Sequence, residues 1–282
     1  MPANIRNIAF VGHPSSGKTT LVDHLAFQIG ATPRMGKVSD KTSLLDTEPE
    51  ELEKGHTLQL AMVSANHEGR TWNLIDTPGY PDFVAQTLGG MIASDLIVGV
   101  VSATSGLTFN LRKKLEAARD LGRGRAIVVT HVDAENADFD QVLEDLRGAI
   151  GEVCVPVRLP NASGPSFSEV RRVVADTTTE WRQRLLDRIM DACEDEALVM
   201  EYLETQQVSD QQLEALMPSA IAKGTIVPVA VCNPTTGLGM KELLAFLSKY
   251  GPSPELTEFK DKSGEVIEFT TEGPALGFVF SV

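Results

Sequence analysis

Gly12-His13-Pro14-Ser15-Ser16-Gly17-Lys18-Thr19 places two glycines, a lysine and a hydroxyl at the spacing G-x-x-x-x-G-K-[ST]. Gly12 and Gly17 permit backbone torsions that a β-carbon obstructs, so successive N–H groups can converge on phosphate oxygens. Lys18 adds a charge that reaches the outer phosphates of a nucleotide, and the Thr19 hydroxyl is a hard ligand suited to magnesium. Apolar residues 5–11 read as a buried strand and residues 19–29 as a helix. The loop therefore joins a strand to a helix, and the first turn, with Thr19 and Thr20, adds its positive dipole end.

Three further segments supply complementary chemistry. Asp76-Thr77-Pro78-Gly79 follows the strand at 71–75. In a parallel sheet that strand end lies on the edge where ligands bind, so Asp76 can hold magnesium through water and the Gly79 N–H can meet a terminal phosphate. Thr57, in the polar stretch Lys54-Gly55-His56-Thr57, can complete the magnesium shell when a third phosphate is present, which makes its loop a switch. Thr130-His131-Val132-Asp133 ends the strand at 126–130 on the same edge. An aspartate there accepts from both N1–H and the 2-amino group of guanine, a pair that adenine lacks; a site built on such bonds rejects the analogue by roughly 10⁴-fold. An aspartate there can also serve as a helix N-cap or turn residue. Together these residues imply GTP or GDP with Mg²⁺.

The elements that position them alternate strand and helix. Residues 59–65 and 71–75 are strands joined by a polar turn, and 96–102 and 126–130 are apolar runs of buried-strand type. Between the last two, Leu111, Leu115, Ala118 and Leu121 recur at helical spacing, and 138–150 is a second helix by the same test. The rhythm pauses at 153–223, a largely helical insertion with a Gly/Pro/Ser-rich loop at 161–168 and helices at 181–190, 197–203 and 210–217. It resumes with a strand at 225–232 and a helix at 240–249. The expected fold is α/β: a mostly parallel sheet flanked by helices, with the domain at 1–254. Residues 255–282 read as a linker and the first strands (265–270 and 278–282) of a second, β-rich domain in a longer protein.

Composition sets limits. The 282 residues are 42% hydrophobic and 23% charged, as in ordinary globular proteins. A net charge of −14 argues against a broad nucleic-acid-binding face. The acidic segment 48–53 reads as an exposed loop, and the clusters Arg112-Lys113-Lys114 and Arg123-Gly124-Arg125 as solvated helix ends or loops. Cys154, Cys193 and Cys232 lack metal-ligand or disulfide spacing, which points to the cytoplasm. No run approaches the ~20 apolar residues of a membrane helix. The segment is expected to be monomeric alone.

The motifs, in order and spacing, resemble those of the translational GTPases, most closely elongation factor G and its paralogues. Residues 7–13, 51–57 and 75–83, together with Tyr202-Leu203-Glu204, Ala222-Lys223-Gly224-Thr225 and Tyr250-Gly251-Pro252-Ser253-Pro254, carry the likeness over nearly the whole chain. The resemblance implies a GTP-hydrolysing domain that acts on the ribosome. Lys18, Thr57 and Gly79 would belong to its catalytic set, and Thr19, Thr57 and Asp76 would hold the metal.

The sequence also departs from that family. Tyr80 stands where elongation factor G has the histidine that orients the attacking water; loss of such a group costs roughly 10²–10⁴-fold. Thr130 and His131 replace the first two residues of the guanine motif N-K-x-D, although His131 can still stack on the base. Asn233-Pro234-Thr235 occupies the place of the family's Ser-Ala-Leu or Ser-Ala-Lys base contact. The insertion is trimmed relative to elongation factor G. These differences leave three readings: a ribosome-linked GTPase of low intrinsic rate, a guanine-nucleotide switch that hydrolyses negligibly, and a switch indifferent to the purine base.

Overall fold

The computed structural model describes residues 2–46, 48–176, 178–259, 263, 265–267 and 279–280. The strands expected at 265–270 and 278–282 fall largely outside this set. Strand β1 (Ile5–Gly12) runs into the glycine loop and helix α1 (Lys18–Gln28). Helix α2 (Pro49–Lys54) precedes the hairpin of β2 (Ala61–His67) and β3 (Arg70–Asp76). Next come α3 (Val84–Ile92), β4 (Leu96–Ser102), α4 (Phe109–Asp120), β5 (Gly124–Thr130) and α5 (Phe139–Ile150). The stretch after α5 holds β6 (Cys154–Pro156), β7 (Arg158–Pro160), β8 (Val170–Arg172), α6 (Glu180–Met190), α7 (Glu196–Thr205) and α8 (Asp210–Lys223). Strand β9 (Val227–Val231) and helix α9 (Met240–Tyr250) close the domain.

Seven strands form one sheet in the order β2-β3-β1-β4-β5-β9-β6. All neighbours are parallel except β2 and β3. Strand period decides which side each residue serves. On β1, Ile8 and Phe10 face the core built with α1, α8 and α9, whereas Ala9 and Val11 face the one built with α3, α4 and α5. Both faces are covered, so β4 and β5 are buried along their entire length, as their central apolar runs require; Arg125, Ser102 and Thr130 are the polar residues buried with them. The α/β expectation holds.

Several local expectations need correction. The 153–223 stretch is not only helical: β6 extends the sheet, pairing Cys154 with Val227 in parallel, and β7 and β8 form a small antiparallel pair. Helix α8 runs past Pro218 to Lys223 because Ala220 and Ile221 are fully buried in the core beneath it, outweighing the bond that proline removes. The acidic segment is not an exposed loop. Glu48 caps α2 in a capping box, and Glu51 is buried.

Nor are the basic clusters solvated throughout. Arg112 and Lys113 pair with Glu116 on the surface, but Lys114, Arg123 and Arg125 are buried. Arg123 donates to the Ile92 and Glu258 carbonyls and lies 4.3 Å from the Phe259 ring centre, fastening the segment after α9 beneath the sheet. Among the described residues no helix is long and apolar enough to cross a membrane.

Candidate functional site

The carboxyl ends of β1, β3, β5 and β9 meet on one edge of the sheet, the position at which open α/β sheets take ligands. At the end of β1 the chain turns through Ser15 (φ 62°) and Gly17 (φ 81°), both left-handed, which turns successive N–H groups inward before α1 begins. Gly17 serves as the N-cap of α1 without a side-chain cap, so the helix's first amides remain available to an anion. Lys18 is buried and curls back to donate to the His13 carbonyl at 3.0 Å. Burial pushes its pKa down, and Asp76 opposes that shift.

A cavity of ≈ 430 Å³ opens above this loop, lined by Pro14, Ser15, Gly17, Lys18, Thr19, Thr20, Asp46, Thr57, Gly79, Tyr80 and His131, among others. That volume lies in the range of nucleotide-sized sites. Of the other expected loop residues, Gly12, His13 and Ser16 form its frame rather than the lining, and Ser16 is buried with its hydroxyl unpartnered.

The oxygen donors converge at the foot of the cavity. The Thr19 hydroxyl donates to Asp76 Oδ2 at 2.7 Å, and the Thr57 hydroxyl donates to Asp46 Oδ1 at 3.1 Å. The two hydroxyl oxygens lie 3.0 Å apart. Each hydroxyl has one hydrogen, so when both donate to their carboxylates the lone pairs of Thr19 and Thr57 face each other. A hard divalent cation relieves that arrangement. Asp76 is fully buried and its Oδ1 has no hydrogen-bond partner. Burial raises its pKa to about 7 against the opposing pull of Lys18 and Thr19. The donor set fits magnesium.

Asp46 escaped the sequence reading. Its only signal was an aspartate in the polar stretch between the glycine loop and Thr57. Glu51 also escaped: its Oε1 accepts from the N–H groups of Leu58 and Gln59 at 2.8 and 3.0 Å, tethering the chain just beyond Thr57.

At the cavity mouth the rings of Tyr80 and His56 pack at 4.8 Å, tilted by 55°. Tyr80 is 38% exposed. Its phenol thus stands on the wall beside Gly79, in contact with the loop that carries Thr57.

The expected base-reading residues are less convergent. His131 lines the cavity from a left-handed backbone (φ 53°), a region histidine tolerates better than most residues. Its Nδ1 lies 3.1 Å from the Ser102 hydroxyl. Thr130 is fully buried, and its hydroxyl donates to the Ser16 carbonyl at 2.8 Å. It therefore braces the glycine loop from behind rather than facing the cavity. Asp133 is exposed and does not line the cavity. Asn233 is buried, and its side-chain oxygen accepts from the N–H groups of Thr235 and Thr236 at 2.9 and 3.1 Å, closing its own turn. The Pro234 carbonyl accepts from His24 Nδ1 at 2.8 Å, linking this turn to α1.

Sheet order, edge loop and convergent oxygen donors define a phosphate-loop nucleotide-binding domain. The match to known sequences is more specific. The chain belongs to the family of elongation factor Tu GTP binding domains, whose profile matches residues 3–253. A Mycobacterium tuberculosis (strain CDC 1551 / Oshkosh) protein named elongation factor G-like protein is 29% identical over 269 residues, covering 90% of this chain and 38% of that protein. One of the same name from Thermotoga maritima is 26% identical over 299 residues, covering 98% and 43%. A crystal structure from Thermus thermophilus superposes with a TM-score of 0.81 at 31% identity, covering 89% of this chain and 41% of that one. This chain thus spans about two fifths of the length of these relatives. The likeness to divergent elongation factor G-like translational GTPases, read from the motifs, holds.

Proposed function

We propose that this domain binds guanine nucleotide with magnesium and hydrolyses GTP to GDP and phosphate, and that in the complete protein it does so in connection with the ribosome. The observation carrying this reading is the convergence of Lys18, Thr19, Thr57 and Gly79 on one cavity, with the buried Asp76 bonded to Thr19 behind its lining. Lys18 and the loop amides hold the outer phosphates. Thr19, Thr57 and Asp76 hold magnesium, with Asp46 fixing the Thr57 hydroxyl. Magnesium supplies charge neutralisation on the phosphate oxygens.

In hydrolysis, water attacks the terminal phosphorus and the bond to the bridging oxygen breaks, leaving GDP, with the water's protons passing to phosphate and solvent. The Gly79 N–H and Tyr80 stand where that water must be oriented. Asp133 and His131 are assigned to the base, and the Asn233-Pro234 turn to shaping the wall beside it.

Tyr80 supports a second reading, that of a guanine-nucleotide switch with negligible turnover. Its ring packs on His56, and a neutral phenol offers water no cationic partner. Single-turnover GTP hydrolysis by the full-length protein, with and without ribosomes, separates the two. Stimulation by ribosomes supports the enzymatic reading, and an unchanged rate supports the switch. Tyr80→His should raise the rate by about 10²-fold; an unchanged rate would show that Tyr80 is not what limits turnover.

A further inference from the structure

Lys114 lies at the end of a buried polar connection that reaches the nucleotide cavity from behind. It sits on α4 between Leu111 and Leu115, on the face that enters the core. Its Nζ donates to the carbonyls of Gly12 at 3.2 Å, Pro78 at 3.2 Å and Gly79 at 3.4 Å. Two neighbours reinforce it. Thr87 donates to the Pro78 carbonyl at 3.3 Å, and Asn110 donates to the Gly79 carbonyl at 3.0 Å.

The direction of these bonds matters. A trans peptide holds its C=O and N–H on opposite sides of the chain, and the chain has no cis bonds among its described residues. The Pro78 carbonyl and the Gly79 N–H belong to one peptide. Drawing that carbonyl back toward α4 therefore turns the Gly79 N–H toward the glycine loop. Gly79 is close to that loop: a β-carbon on it would come within 2.7 Å of Pro14 N and 2.9 Å of Lys18 Nζ. The contact to the Gly12 carbonyl fixes the same lysine to the loop's first residue, so one side chain sets the spacing between loop and turn.

We infer that Lys114 is a positioning residue which, with Thr87 on the same Pro78 carbonyl, aims the Gly79 N–H at the third phosphate and so favours GTP over GDP. The inference rests on the nucleotide reading above. Burial is the larger cost: it lowers the Lys114 pKa to about 8, with Lys18 adding to the shift. A charged group is kept in the core at that cost, where a leucine would suit the stripe, and its three carbonyl acceptors all belong to the loop and the turn.

The test compares affinities for GDP and a non-hydrolysable GTP analogue in wild-type protein and Lys114→Met, by displacement of a fluorescent nucleotide. Methionine keeps the length and removes every donor. Loss of the charge-assisted bonds should weaken the GTP analogue by about tenfold more than GDP. Should Lys114→Met fail to fold, Thr87→Val, which removes the second donor from the Pro78 carbonyl while keeping the side-chain volume, should shift the GTP-to-GDP ratio about threefold in the same direction. Equal losses for both nucleotides would overturn the inference, because a merely structural lysine weakens both alike. If wild-type protein bound neither nucleotide, the functional reading would fall and this inference with it.

Discussion

The two ends of the cavity are built differently. At the proposed phosphate end Thr19 is within hydrogen-bond distance of Thr57 and Asp76, Lys18, Thr57 and Asp76 are buried, and loop and turn are braced by Thr130 beneath and Lys114 behind. At the base end Asp133 is exposed, Asn233 is committed to its own turn and only His131 lines the wall. An anion site must be assembled by folding, because converging dipoles and a buried lysine have meaning only in fixed geometry. A base can be gripped by groups that order on contact. Under the proposed function, the contrast assigns binding strength to the phosphates and base selectivity to fewer, looser groups.

Substitutions at each end can break or sharpen that contrast. Lys18→Ala should have the largest effect, lowering GDP affinity by roughly 100-fold in a fluorescence titration, since it removes the one charged donor inside the glycine loop. A loss below threefold would remove the phosphate end from its leading place. Asp133→Ala should lower GDP affinity by only about tenfold and narrow the preference for GDP over ADP. If wild-type protein already binds the two equally, the assignment of Asp133 to guanine fails. Asn233→Ala should act mainly on folding, costing about 1–2 kcal/mol in denaturant melts through two amides left unpaired, with little change in affinity. A large loss of affinity without loss of stability would instead place Asn233 on the base.

What could be read from the sequence follows the same division. The glycine loop and Asp76–Gly79 were legible because their chemistry is local and their spacing fixed. The alternating apolar runs gave the sheet, since the polar residues of β4 and β5 (Ser102, Arg125 and Thr130) lie at or next to the strand ends. Three failures share a cause in non-local burial. Lys114 was read with its neighbours as a solvated cluster, although it stands three residues after Leu111 and four before Ala118, squarely on the apolar stripe of α4. Glu51 reads as part of an acidic loop and Asp46 carries no signal of its own, because nothing nearby reveals which carboxylate turns inward. Strand β6 was hidden by its brevity: three residues become a strand only when β9 supplies the partner. Thr130 and His131 stand out in the sequence as departures from N-K-x-D, but the sequence does not separate a residue beneath the loop from one on the cavity wall. Only folding shows Thr130 turned under the glycine loop.

The tether at Glu51 has an experimental consequence. One carboxylate oxygen holds the amides of Leu58 and Gln59, the two residues immediately following Thr57. While that grip lasts, both amide protons are withheld from solvent; when the loop lets go, both are released together. Deuterium uptake at these two positions is therefore a label-free clock for the departure of the Thr57 hydroxyl from its neighbours. It can be read in the intact chain without placing a probe in the cavity.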